Sequence, residues 1–265
     1  VINRENPDII LLQEVDEGAA RTGKENQLAR LRSMLGERYP AYVSTWYWKA
    51  AFVPHPKIMG SVGMRLAILS KYRLGEARHH ALPLMPGSWV MQQFNIKRAI
   101  LEVTLPAQHA SPLTIYNTHL DAFAQGSDTM ERQVAYVKSL LDTMAGAGRP
   151  FIIAGDFNLL MPGAPYSRLG PPQRAYINEQ SELKVLTGSY RAFPSIDAVN
   201  GPQFEHYITH FPNDPAVKKP DRTIDYFFFS PLVESHNERV LQEGTEKISD
   251  HFPIMVSISL KKPAS

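Results

Sequence analysis

The sequence predicts an α+β domain of two packed sheets flanked by helices, occupying residues 1–265 as one unit. Three observations carry that expectation. Strand-like runs rich in Ile, Val, Thr and Tyr are mixed with a few helical stretches in the early and the late third of the chain alike. Polar residues gather at the ends of those runs. No repeat, low-complexity tract or linker splits the chain.

The opening VINRENPDIILLQEVD reads as a helix end, a turn at Asn6-Pro7-Asp8, and a strand from Ile9 to Leu12 that carries Glu14 near its end. Asn26 to Arg38 spaces Leu28, Leu31 and Leu35 at helical intervals on a charged background, a surface helix with one apolar stripe. Residues 41–62 are rich in aromatics, proline and glycine without a clean period, which predicts a strand followed by a long shaped loop. Strand patterns recur at LAILS (66–70), AILEVTL (99–105) and LTIYNTHLD (113–121). The segment SDTMERQVAYVKSLLDTMAGAG then changes period, with Met130, Val134, Val137 and Leu141 on one side and glycines after the last turn, so a helix follows. FIIAGDFNLL (151–160) is an apolar strand ending in glycine, after which Asp156 and Asn158 lie two apart and so on one face. A proline- and glycine-rich stretch to about residue 220 precedes the strand TIDYFFFS, a connection, and a last strand from Ile254.

Composition narrows the chemistry. A hydrophobic content of 43% with 10% aromatics is ample for a packed core. Lys plus Arg number 28 against 26 Asp plus Glu, so no global charge marks a nucleic-acid binder, and only a local basic groove would serve one. Without cysteine there are no disulfides or thiolate sites, so any metal must be held by oxygen or imidazole ligands. No apolar run approaches the roughly 20 residues that span a bilayer. The compartment stays open, because a removed signal peptide would leave no trace in a chain that begins at Val1.

Five places put acid, amide or imidazole groups at or just past a strand end: Glu14 in LLQEVD, Asn117 and His119 in NTHLD, Asp156 and Asn158 in GDFN, Asp225 in TIDY, and Asp250-His251 in SDHFP. Each has a plain explanation alone: a solvated strand exit, a hydrogen-bonded structural histidine, or an Asx turn. Together they make a hard-oxygen site of the kind that suits Mg²⁺ or Mn²⁺, with imidazoles that a metal cage alone would not need. Metal, imidazole and acid together point to hydrolysis of a phosphate ester.

In order and spacing, LQEV, NTHL, GDFN, TIDY and SDH resemble the motifs of the endonuclease/exonuclease/phosphatase (DNase I-like) superfamily over nearly the whole chain. That superfamily includes pancreatic-type deoxyribonucleases, apurinic endonucleases, neutral sphingomyelinases, inositol polyphosphate phosphatases and deadenylases; the layout is similar to that of bacterial members with no assigned substrate. The resemblance implies a four-layer α/β/β/α sandwich of two mixed sheets, with the active site at one edge. It implies that Glu14 and Asp250 bind metal, Asp156 activates the attacking water, and Asn158 holds water and phosphate. His251 would contact the scissile phosphate with Asp225 orienting it, and His119 would stabilise developing charge or protonate the leaving group. Arg98 and Asn117 are expected on the substrate, and Mg²⁺, with Mn²⁺ as a substitute, is the expected cofactor.

Two departures accompany the match. Family members usually open with a strand bearing a metal-site asparagine, and that first strand is missing from this chain, which starts after it. The pattern GNAILSR of several members reads GMRLAILSK here, so Leu66 stands where an asparagine is common.

The substrate class is open among a small molecule, a lipid head group and nucleic acid, with a phosphodiester favoured and a monomer expected. A DNA or RNA nuclease is one alternative, and a catalytically inactive binding module is another should the first strand be absent from the natural protein. GDFN and RTIDY disfavour the inositol phosphatases. A nuclease needs a cationic track, for which Lys218, Lys219 and Arg222 are the nearby basic residues, with a solvated loop as the simpler reading. TWYWKAAFVPHP (45–56) could stack bases, meet lipid or cap the core. His206 and His210 in EHYITH could form a second metal pair, although the residues between them look like strand.

Overall fold

The computed structural model describes residues 1–56, 58–107, 111–122, 126–212 and 217–261. The chain divides into two compact units, Ile2–His119 and Leu120–Ser265, the second also holding Val1.

In the first unit, α1 (Ile2–Glu5) leads to β1 (Ile9–Asp16), α2 (Gln27–Leu35), β2 (Ala41–Val53), β3 (Gly60–Ser70), β4 (Ala77–Ala81), α3 (Trp89–Phe94), β5 (Ala99–Leu105) and β6 (Leu113–His119). The order β1-β3-β2 makes one antiparallel sheet, and β4, β5 and β6 pair antiparallel in sequence. Helix α2 starts where Asn26 accepts the Ala29 N–H at 2.8 Å, supplying one of the partners that a helix N-terminus lacks. Its stripe packs as expected: Leu28 and Leu35 are buried against Ile10, Val15, Tyr39, Ala67 and Leu69, with Leu31 partly buried beside them.

Strand β2 corrects the reading of residues 41–62. It runs to Val53, so the expected long loop shrinks to the residues between Val53 and Gly60. Register shifts between Trp46 and Trp48 and between Ala50 and Val53 interrupt the two-residue alternation that would have announced so long a strand. Strand β4, a short polar edge with the sequence ARHHA, was also absent from the expectation.

Asn117, expected to touch substrate, is fully buried, and its side chain ties strands of the first unit together. Its Nδ2 donates to the carbonyls of Leu12 (2.9 Å) and Ala67 (3.0 Å), and its Oδ1 accepts from Gln13 Nε2 (2.6 Å), so one amide ties β6 to β1 and β3. Removing it takes a donor from one buried and one part-buried carbonyl and a partner from Gln13. Asn117→Ala should therefore lower unfolding free energy by on the order of 3 kcal/mol in urea titrations, and a loss below about 1 kcal/mol would refute this role.

In the second unit, α4 (Thr129–Gly146) is followed by β7 (Phe151–Asp156), β8 (Arg191–Phe193), β9 (Asp225–Phe229), β10 (Val233–Val240) and β11 (Ile254–Leu260). Strands β7, β9 and β8 pair antiparallel in that order, and β10 pairs with β11. The expected face of α4, Met130, Val134, Val137 and Leu141, is buried. Phe157 sits edge-on to Tyr226 (6.0 Å) and Phe228 (5.2 Å), fixing the GDFN segment on the core. Residues 213–216 of the proline- and glycine-rich stretch lie outside the described residues; its remainder forms short helical turns and β8. The connection after β9 contains β10, a polar strand that the sequence reading passed over. The α+β class is as expected. No helix among the described residues is long and apolar enough to cross a membrane.

Candidate active site

The register of β7 and β9 sets Asp156 directly opposite Asp225. Both are buried, at 5% and 8% exposure. Facing like charges destabilise a sheet unless a cation sits beside them. The cation is His251: its Nδ1 lies 2.9 Å from Asp225 Oδ2, and its Nε2 3.8 Å from Asp156 Oδ2, beyond hydrogen-bond length. Backbone bonds hold this histidine in place. Phe211 N–H donates to the Asp250 carbonyl (2.8 Å), Phe252 N–H to the Thr209 carbonyl (2.7 Å), and the Thr209 hydroxyl accepts from the N–H groups of Ile224 and Asp225. The segment carrying His251 is thus stitched to the start of β9.

Burial pushes the His251 imidazole toward neutrality. The charge of Asp225, its hydrogen bond, and the charges of Asp156 and Asp250 outweigh burial and raise its pKa to about 10. The folded chain therefore keeps a proton that the unfolded chain releases near the ordinary histidine value of 6.5. The stability His251 contributes is full below about pH 6.5 and is lost as pH rises toward about 10. In metal-free buffer, urea midpoints should fall across that window and fall less in His251→Gln; equal slopes in the two proteins would contradict the assignment.

Asp156 and Asn158 do share one place, and the Asx-turn reading of GDFN holds. Gly155, at φ +146°, takes a backbone conformation that side-chain-bearing residues rarely adopt, and Asn158 sits at φ +52°. Asp156 Oδ1 accepts the Asn158 N–H at 2.8 Å, closing an Asx turn, and Asn158 Nδ2 donates to the Leu120 carbonyl at 3.0 Å. One Nδ2 hydrogen satisfies that bond, leaving the second for a ligand.

His210 joins this cluster, and its pairing with His206 does not. The ring of His210 meets that of His251 edge to face at 4.8 Å, and His210, Asp250 and His251 offer ligand atoms within 4.8 Å of one another, as do Asp156, Asp225 and His251. His206 lies on a 3-10 turn, Phe204–Tyr207, rather than on strand, and belongs to neither group. Burial, with the charges of His251 and Arg222, holds His210 below the usual histidine range against the opposing pull of Asp221.

The remaining expected residues belong to the first unit. Glu14 sits at φ +52° in the β1 bulge between Leu12 and Val15, its side chain 45% exposed. Its Oε2 accepts from Arg21 Nη2 at 3.0 Å, while the same guanidinium grips the buried Asp16 at 2.7 and 3.0 Å. His119 is buried at the end of β6 with Nδ1 3.3 Å from the Tyr47 hydroxyl. Arg98 is buried too, 5.7 Å from the Tyr47 ring centre, and so is not an exposed strand arginine. Leu66 is wholly buried and takes a core place.

Within the aromatic stretch, Tyr47 is buried, Trp46 stacks under Arg65 (3.7 Å), and Trp48 donates to the Phe94 carbonyl (2.9 Å). Core capping accounts for these three. The basic trio is engaged as well: Arg222 grips Asp221 at 2.5 and 2.8 Å, and Lys219 lies 3.4 Å from Glu205. A groove of about 500 Å³ runs along α4, lined by Glu131, Val134, Asn178 and Glu182, and holds none of the expected site residues.

The profile of the Endonuclease/Exonuclease/phosphatase family matches residues 1–251. No curated protein matches. Similar solved structures include an endonuclease/exonuclease/phosphatase from Beutenbergia cavernae DSM 12333, at 21% identity and TM-score 0.69, covering 98% of this chain and 64% of that one. The human Nocturnin catalytic domain with bound sulfate anion aligns at 19% identity and TM-score 0.58, over 98% of this chain and 83% of that one. Truncated Caenorhabditis elegans TDP2 aligns at 16% identity and TM-score 0.56, over 97% and 86%. This chain thus spans 64% of the Beutenbergia protein's length, and at such identities the structural likeness speaks for the fold. The profile match, running from Val1 to the histidine that neutralises the facing aspartates, places the chain in the Endonuclease/Exonuclease/phosphatase family, whose members hydrolyse phosphoester bonds.

Proposed function

We propose that this chain hydrolyses a phosphodiester with the help of a divalent cation, Mg²⁺ foremost and Mn²⁺ in its place. The observation that carries this reading is the facing pair Asp156 and Asp225, buried and held against one imidazolium within a family of phosphoester hydrolases. The donor chemistry fits the cation: Asp156, Asp225 and Asp250 with the Asn158 amide form an oxygen-rich set without thiolates, as Mg²⁺ prefers. Asp250 would help to hold it, and Glu14 keeps the metal-binding role that family resemblance gives it. When bound, the cation supplies Lewis acidity and neutralises phosphate charge.

The chain's own groups do the rest. Asp156 takes the proton of the attacking water. His251, kept charged and oriented by Asp225, donates from Nε2 to a non-bridging phosphate oxygen, where negative charge builds in the transition state. Asn158 adds its spare N–H. A diester is favoured over a monoester on charge: three carboxylates meet one negative charge rather than nearly two at neutral pH. His119 is assigned to the leaving-group side, and residues 1–265 are read as a single functional domain.

The test is hydrolysis of bis-p-nitrophenyl phosphate by metal-stripped protein. Activity that is absent with EDTA and returns with Mg²⁺ or Mn²⁺ supports the proposal. Its absence under both ions, for this diester and for p-nitrophenyl phosphate, would favour a binding module. Plasmid nicking that disappears in Asp156→Asn would assign nucleic acid as the substrate.

A further inference from the structure

We infer that His210, Asp250 and His251 form a nitrogen-rich cation site suited to Zn²⁺, which shares Asp250 with the oxygen-rich set proposed for Mg²⁺ and adds two imidazoles. The three residues offer ligand atoms within 4.8 Å of one another. Two imidazoles and a carboxylate are the donors of three-ligand zinc sites, which leave a fourth position for water or substrate. Mg²⁺, by contrast, takes oxygen ligands.

The second observation lies behind the rings. A metal-binding histidine characteristically gives its other ring nitrogen to a carboxylate, which fixes ring orientation and raises basicity. His251 is built this way, and His210 faces a carboxylate in the same sense without yet bonding it. His251 Nδ1 lies 2.9 Å from Asp225 Oδ2, and His210 Nδ1 lies 3.6 Å from Asp221 Oδ1, with Asp221 itself gripped by Arg222 at 2.5 and 2.8 Å. His210 Nδ1 is buried without a hydrogen bond, so a small shift toward Asp221 would complete the pair. With Nδ1 of each ring turned to a carboxylate, Nε2 is the atom assigned to the metal. The backbone holds the trio together: His210 and His251 form an antiparallel bridge, and Phe211 N–H donates to the Asp250 carbonyl at 2.8 Å.

Zn²⁺ held at His251 Nε2 takes that nitrogen away from phosphate, so it would inhibit Mg²⁺-supported hydrolysis. The site itself stands on the geometry of the second unit, and a failure of the hydrolytic reading leaves it intact.

The experiment titrates metal-stripped protein with Zn²⁺ by calorimetry and records the zinc K-edge fine structure of the one-to-one complex. Expected are one zinc per chain and two imidazoles in its shell. His210→Gln should weaken binding at least about tenfold, the lower range for losing even an outer partner of a metal site. Asp156→Asn, which removes the carboxylate of the alternative cluster with Asp225 and leaves all three proposed zinc ligands in place, should weaken binding less than His210→Gln does. A shell with one imidazole or none, measured on the wild type and so independent of any folding defect, overturns the inference. So does a loss in Asp156→Asn that matches or exceeds that in His210→Gln.

Discussion

Asp156→Asn lowers kcat for bis-p-nitrophenyl phosphate at saturating Mg²⁺ by about 10³-fold, within the range that a positioned general base contributes, and leaves KM nearly unchanged. The substitution keeps the shape of the side chain and an oxygen for the Asn158 N–H, which Asp156 Oδ1 now accepts at 2.8 Å. What it removes is the negative charge and the capacity to take a proton. It also removes one of two facing carboxylates, so the metal-free variant should be as stable as the wild type or more so. Activity within tenfold of the wild type would show that the water is activated by another group.

His251→Gln lowers kcat by about 10²- to 10³-fold, the loss expected when one preorganised donor to transition-state charge is removed. Unlike Asp156→Asn, it also destabilises the fold. The glutamine amide can reach Asp225, yet it carries no charge to offset the two buried carboxylates that face each other. Breaking a buried ion pair typically costs about 3–5 kcal/mol; at 30% side-chain exposure for His251, about 2 kcal/mol is the better expectation. Combining it with Asp156→Asn should recover part of that stability, since the repulsion disappears with the charge. Additive losses in the double variant would show that the two sites do not couple.

What the sequence disclosed and what it hid follow from what the residues pack against. β6, β7 and β9 were legible because buried strands need apolar, β-branched or aromatic runs, and their ends were legible because Asp156 and Asp225 interrupt those runs abruptly. β4 and β10 were hidden because ARHHA and VESHNERV are mostly polar and exposed, so no alternation marks them. β2 was half hidden because its bulges scramble the period. At the site, the meeting of Asp156, Asp225 and His251 was foreseen from motif resemblance, but the exact cross-strand opposition of the aspartates depends on register, which no local pattern encodes. The structural ties of Asn117 were missed because its partners are backbone carbonyls of Leu12 and Ala67, remote in sequence and invisible in any motif. The Arg21 grip on Glu14 was missed because a surface arginine in RTGKEN looks like any solvated charge.

His210 is the instructive case. Its pairing with His206 was suggested by nearness in sequence, whereas its neighbours come from residues 221, 250 and 251. A clue was present in HFP, which recurs almost unchanged as HFPN at 210 and HFPI at 251, and the two copies bridge each other in the fold.

The central claim, that Asp156, Asp225 and His251 form the phosphate-processing centre, is met most directly by a crystal soaked with Mn²⁺ and inorganic phosphate. The anomalous map should place manganese on a carboxylate of Asp156 or Asp250, with a phosphate oxygen within about 3 Å of His251 Nε2. Manganese and phosphate bound together elsewhere, touching none of these side chains, would contradict it.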